Sequence, residues 1–300
     1  MSEPIVGLIG ILLLLVLIFC RMPLGFAMAL VGFGGFAYLV GMQGALNNLS
    51  SVPYRYVADY AFVVIPMFLL MGAFAANANI SRDLYIAAHA WTGQVRGGLA
   101  MSSVLAAAGF SAMSGSSSAT AAAMAKVAYP EMKRYNYDEK LAVGSLAAGG
   151  TMGILIPPSM GLILYAILTE ESIGKLFMAG VVPGITEALI YIGVIYLMCL
   201  RHINLGPAAP KTSFMTKVKS LKNVWSMLVL FGLVMGGIYG GFFTPSEAAA
   251  IGAFGAFIIA TVMGRMNRRV FVDSLAETGR TAAMIMIMIF GAMLFMRFLA

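Results

Sequence analysis

Charge is scarce in this sequence. Lysine, arginine, aspartate and glutamate together supply 10% of the 300 residues, where a soluble domain of this length uses roughly a quarter to cover its surface. Hydrophobic residues make up 61%, which excludes an ordinary soluble domain and points to a polytopic membrane protein. Cysteine and histidine are also rare, at two each. Cys20 and Cys199 close separate apolar runs without CxxC spacing, which excludes a cysteine metal site or a disulfide framework, and both read as structural. A net charge of +7 would suit nucleic acid, but the basic residues lie in short loops between apolar stretches, where membrane orientation accounts for them. The first stretch, PIVGLIGILLLLVLIFC, has no basic region before it and no small-residue cleavage site after it. It therefore reads as a retained span, and Phe19 before Cys20 excludes a lipoprotein-type cleavage site.

A span needs about 20 apolar residues to cross roughly 30 Å of hydrocarbon. Eight stretches qualify, near 4–20, 24–41, 60–79, 140–170, 175–200, 223–243, 245–264 and 281–300. With the amino terminus periplasmic, the inside loops hold all of the 19 basic residues except Arg55, Lys175 and Arg297. Residues 97–130 are apolar but broken in the middle by SGSSS. Loop parity fits either two crossings or a hairpin that returns to its own side. The return leg favours the re-entrant hairpin, because about 12 residues at 1.5 Å each are too short to cross. The expected order is first scaffold spans at 1–80, an interfacial arm helix at 81–96, the hairpin at 97–130, and a broken helix and following span at 131–200. A cytoplasmic loop follows at 201–222, then further scaffold spans at 223–300. The arm, SRDLYIAAHAWTGQVRGG, mixes apolar and charged residues, with Ser81 expected as its cap and Trp91 at headgroup level. His89 and His202 read as solvated polar residues. AMALVGFGGF at 27–36 also resembles AAAIGAFGAF at 248–257, a hint of two repeats with inverted topology.

Two interruptions stand out. At Ser114-Gly115-Ser116-Ser117-Ser118-Ala119-Thr120, one helix ends with unpaired carbonyls and the next begins with unpaired amides. Unsatisfied groups of this kind must be buried in protein or face a wet cavity. Carbonyls and hydroxyls suit a small hard cation, whereas amides at a helix start suit an anion. In GSLAAGGTMGILIPPSMGLILYAIL, Gly149, Gly150, Gly153, Pro157 and Pro158 interrupt a long apolar run. Each proline removes a donor and frees a carbonyl one turn back. The second element reads either as an ion site offering oxygens of Gly153 and Ile156, or as a kinked span packing through its glycines.

The stretch FSAMSGSSSATAAAMAKVAYPEMKRYNYDEKLAVGSLAAGGTMGILIPPSMGLILYAILTEESIGKLFMAGVVPG, followed by GGIYGGFFTPSEAAAIGAFGA, resembles the large membrane subunit (M subunit) of tripartite ATP-independent periplasmic (TRAP) transporters of the dicarboxylate type. The resemblance implies an all-α inverted-repeat elevator-type fold, similar to sodium-coupled dicarboxylate symporters. It further implies a bacterial inner-membrane location and sodium-coupled import of an organic acid: a C4-dicarboxylate, a keto acid, or a sugar acid such as sialic acid. A periplasmic substrate-binding protein would deliver the acid, and a small membrane subunit would complete the assembly. Carried over by motif, Ser114 and Ser116 would bind sodium together with Gly153, Ile156 and Pro158, while Ser117, Thr120 and Ser159 would flank the substrate. Sodium, as coupling ion, is the one bound species expected besides substrate. Family members continue past a segment like TAAMIMIMIFGAMLFMRFLA into a second hairpin and second broken helix, so the second repeat is expected to be incomplete here.

Among the charged residues, Glu170, Glu171 and Glu247 are expected near the outer face, where a carboxylate meets a partner or ion. Thr244 and Glu247 also have capping-box spacing. Asp138 and Glu139 open a helix with favourable dipole alignment. Arg297 is a cation inside a predicted span, expected to snorkel outward or to be misplaced. A serine hydrolase would need a base beside the serine cluster, and neither histidine is expected at membrane depth. A passive channel or membrane scaffold is the other alternative, which saturable, gradient-driven uptake would exclude.

Overall fold

A computed structural model describes residues 3–202, 204–210 and 212–300; Lys211, counted above among the inside basic residues, lies outside them. The described residues form fourteen α-helices and two short 3-10 turns. Among the described residues, six helices or helix pairs are long and apolar enough to cross a membrane, and Pro4–Phe19, Leu24–Val40 and Gly98–Ser114 are three shorter apolar helices. With Gly98–Ser114 set apart as the first arm of the hairpin, the others overlap the eight stretches read from the sequence. The chain divides into two compact units, one of residues 1–63 with 279–300 and the other of residues 64–278.

The first unit contains α1 (Glu3–Phe19), α2 (Leu24–Val40), α3 (Met42–Val57) and the end of the last helix. Glycine decides its packing. A Cβ on Gly32 would stand 2.5 Å from the Phe295 amide nitrogen, and one on Gly25 would stand 2.8 Å from the Ile287 carbonyl oxygen. Small residues thus bring two backbones together where lipid supplies no hydrophobic drive. Val6, Val31 and Phe298 are buried beside this seam. Between the second and third of the expected spans lies the helix α3. Its buried Asn48 receives the Arg297 guanidinium on Oδ1, so Arg297 is satisfied within the protein.

The second unit contains α4 (Val64–Asn77), α5 (Ile80–Thr92), α6 (Gly98–Ser114), α7 (Ser117–Arg134), α8 (Glu139–Leu155), α9 (Met160–Thr169), α10 (Ile173–Arg201), α11 (Phe214–Leu221), α12 (Trp225–Tyr239), α13 (Pro245–Val262) and the start of α14 (Arg268–Leu299). Phe74, Phe257 and Phe271 pack α4, α13 and α14 with ring centroids 5.7–6.0 Å apart. Ser81 is not the cap of the arm helix. Asn79 precedes α5 in the left-handed region, φ 59°, which asparagine tolerates. Ser81 instead lies buried one residue inside the helix. Asp83, also on α5, pairs bidentately with Arg265 at the turn after α13. Asp138 caps α8 by accepting from the Lys140 and Leu141 amides at 3.0 and 3.1 Å. Thr244 and Glu247 form the expected reciprocal capping box of α13.

The loop after α10 ties the start of α6 to the start of α8. Gly206 accepts from the Gly97 amide and Leu205 from the Asp138 amide, each at 2.9 Å. Tyr137 accepts from the Leu99 amide and donates to the Pro207 carbonyl, both at 3.0 Å. Burial pushes the Tyr137 hydroxyl up to about 12, against the opposing pull of the Leu99 amide. The base of the α6–α7 hairpin is therefore fixed by backbone bonds and one buried phenol.

Candidate functional site

The hairpin turns in two residues. Helix α6 ends at Ser114, and Gly115 takes φ 59° with its amide donating to the Ser111 carbonyl at 3.0 Å. That left-handed residue is the ordinary place for glycine after a helix. Ser116 is extended and caps α7, its hydroxyl accepting from the Ala119 amide at 3.4 Å. The first helix therefore has almost no unwound end, and the second starts immediately. Helix α7 runs for 18 residues through Pro130 to Arg134, so the return arm extends beyond its apolar part.

The facing break is narrower than the glycines suggested. Gly149, Gly150 and Gly153 all remain helical in α8, and the chain leaves the helix only at Ile156 to Ser159, across a cis Pro157-Pro158 bond. Pro157 has no amide to give the Gly153 carbonyl, and Pro158 has none for Ile154. The Ser159 hydroxyl takes over the second duty by donating to the Ile154 carbonyl. It also caps α9, accepting from the Leu162 amide at 3.4 Å. The Gly153 carbonyl is left without its helical donor.

The two breaks meet backbone to backbone. A Cβ on Gly153 would stand 2.6 Å from the Ser116 carbonyl carbon and 2.7 Å from its oxygen. One on Gly115 would stand 2.6 Å from the Pro158 carbonyl oxygen, and the Gly115 carbonyl accepts from the Met160 amide at 3.0 Å. Inside the hairpin, the hydroxyls of Ser114 and Thr120 lie 2.8 Å apart, with Ser111 3.5 Å from Thr120. The Ser117 hydroxyl is buried with no hydrogen-bond partner among the described residues. Ser114, Ser116, Gly153, Ile156 and Pro158 thus fall in one neighbourhood, together with Ser117, Thr120 and Ser159. Sequence reading passed over Ser111 and Met160, which no local pattern distinguishes from their neighbours. It also passed over Glu187, whose signal was a single carboxylate in the middle of an apolar run.

These donors are oxygen, with backbone amides at two helix starts. They suit binding of a hard cation and an anion. Among the described residues, the hairpin serines hydrogen-bond to one another, to Thr120 and to backbone groups. His89 lies on the arm, its ring 6.1 Å from Tyr85 and 6.5 Å from Tyr135 by centroids. Burial lowers its pKa from the ordinary value, against the opposing charge of Glu131. Burial also raises that of Tyr85, as does Glu131. The His89 Nε2 and Tyr85 hydroxyl are buried without hydrogen-bond partners among the described residues.

Residues 11–300 match the family described as the tripartite ATP-independent periplasmic transporter, DctM component. The C4-dicarboxylate TRAP transporter large permease protein DctM of Pseudomonas aeruginosa is 40% identical over 267 residues, covering 85% of this chain and 62% of that protein. The sialic acid TRAP transporter large permease protein SiaM of Vibrio cholerae is 30% identical over 280 residues, 93% of this chain and 65% of that protein. The isethionate TRAP transporter permease protein DctMQ of Oleidesulfovibrio alaskensis is 34% identical over 256 residues, 82% of this chain and 40% of that protein. The matches thus span about three fifths of the two large permeases and less of the third.

Proposed function

Because this chain belongs to the DctM-component family of tripartite ATP-independent periplasmic transporters, we propose that it supplies the ion-binding half of a sodium-coupled importer of organic anions. The observation that carries this reading is the backbone contact between the hairpin tip and the proline break. The oxygens we assign to the ion are the freed Gly153 carbonyl, the carbonyls of Ile156 and Pro158, and those of Ser114 and Ser116. These residues would hold sodium, which supplies positive charge beside an anionic substrate and, through its gradient, a driving force. Both α7 and α9 begin at this place, and their amide ends favour negative charge. Ser117, with its unpaired hydroxyl, and Thr120 and Ser159 are the side chains we assign to the substrate wall.

C4-dicarboxylate, sialic acid and isethionate, the compounds in the relatives' names, are organic acids, which sets the substrate class we propose. A periplasmic binding protein and a small membrane subunit are the proposed partners, in a bacterial inner membrane with the amino terminus periplasmic. The hairpin and α8–α9 would move together during transport, because the Gly115–Met160 bond and the Gly153 contact tie their backbones.

The test is uptake of a labelled C4-dicarboxylate, and in parallel of sialic acid, by proteoliposomes containing the complete transporter, with and without an inward sodium gradient. Uptake should require sodium. Ser116→Ala and Ser114→Ala should raise the half-saturating sodium concentration about tenfold, the effect of losing a ligand oxygen that contributes about 1.5 kcal/mol. Uptake indifferent to sodium would overturn the coupling, and unchanged sodium dependence in both variants would overturn the site.

A further inference from the structure

A carboxylate sits halfway along α10, a long helix of mainly apolar residues. Glu187 is fourteen residues from either end of α10, about 21 Å from each at 1.5 Å per residue. A lone charge at that depth costs several kcal/mol, so membrane helices keep one only where something compensates it. The ion pairs of the described residues are Arg265–Asp83 and Arg269–Asp273, and neither involves Glu187. Its Oε1 is well served, accepting from the Thr151 hydroxyl at 2.7 Å and the Tyr191 hydroxyl at 2.8 Å. Those two hydroxyls are 3.1 Å apart, which closes a triangle of oxygens. Its Oε2 is buried with no hydrogen-bond partner among the described residues.

We propose that Thr151, Glu187 and Tyr191 bind one sodium ion at a site separate from the hairpin tip, an inference that rests on the sodium-coupled reading above. All the donors are hard oxygens, and the Ala148 carbonyl adds another 2.6 Å from the Thr151 hydroxyl. A cation shared by both carboxylate oxygens would use Oε2 directly and leave the site neutral. A groove of about 600 Å³ between α8 and α10, lined mainly by apolar side chains, runs from Asp138 and Lys140 to Tyr191.

The position gives the site a role. Thr151 precedes Gly153 by two residues on α8, and Gly184, one turn before Glu187, packs against Ile156, where a Cβ would stand 2.7 Å from Cγ1. An ion held here clamps α10 to the segment that offers the Gly153 and Ile156 carbonyls.

The experiment uses the complete transporter in proteoliposomes and reads sodium ions taken up per substrate from the membrane potential at which net uptake stops. Glu187→Gln should lower that number by one. Tyr191→Phe and Thr151→Val, which keep shape and remove one oxygen each, should raise the half-saturating sodium concentration about tenfold. These two decide the matter if Glu187→Gln fails to fold. An unchanged sodium count and unchanged half-saturation overturn the proposal. So does a result in which the variants alter only the response to a proton gradient, because the site then belongs to a proton. Failure of the wild-type transporter to use sodium is a different outcome, which removes the underlying coupling.

Discussion

Gly153 has room for a hydrogen, and nothing larger, on the side that meets the hairpin. A methyl group there would press on the Ser116 carbonyl and the Ser117 amide, both backbone and neither free to rotate away. Overpacking of this kind costs about 1–3 kcal/mol, and here it would separate the two breaks. Gly153→Ala should therefore abolish sodium-dependent uptake or lower the melting temperature. Gly144→Ala, on the same helix with nothing within 4 Å of the added carbon, should gain about 0.5–1 kcal/mol from helix propensity. Thermal denaturation and uptake of both variants check this; equal behaviour would mean that the contact is dispensable. Ser116 and Gly153 could be read from sequence because a polar knot and a proline one turn downstream are local signals. The duty of Ser159 toward Ile154 was not legible, since it depends on which carbonyl the folded break leaves nearby.

At the scale of the element, α5 shows how a helix lying among polar neighbours acquires a pH response. His89, facing Tyr85, Tyr135 and Glu131, has its pKa lowered on folding, chiefly by burial. The unfolded chain then binds more protons between the two values, so the stability associated with His89 is full above about 6.5 and falls as pH drops through the lowered folded value. Amide hydrogen exchange in α5 should speed up on going from about pH 7.5 to about pH 5.5, once corrected for intrinsic exchange. His89→Phe, which keeps a ring and removes the proton, should cancel the response, and identical protection at both pH values would refute it. The arm was legible as a helix from its mixed composition, but its start was not. Ser81 looked like a cap, yet the two-residue turn from α4 placed asparagine in the left-handed region and drew Ser81 inside. Similarly, α3 was missed as a helix because its modest hydrophobicity gives no span signal.

For the molecule as a whole, orientation is the property that charge alone proposes. If basic loops face the cytoplasm, exposed Cys20 at the end of α1 lies on that side, together with buried Cys199. A membrane-impermeant maleimide should label Cys20 in inside-out vesicles and not in intact spheroplasts. Cys199, packed against Gly97 and Gly206, should label only after denaturation. Modification of Cys20 from outside would invert the topology. Sequence alone determined that the chain is a multi-pass membrane protein and that it is interrupted at the serine knot and at Pro157-Pro158, because hydrophobic length and the missing proline amide act regardless of surroundings. Only the tertiary structure decided which faces meet: Arg297 with Asn48, Asp83 with Arg265, Ser116 with Gly153, Glu187 with Thr151. In a chain this rich in small apolar residues, many helix pairings satisfy the local rules equally, and the choice rests on close backbone approach and on polar groups that must find partners far away in sequence.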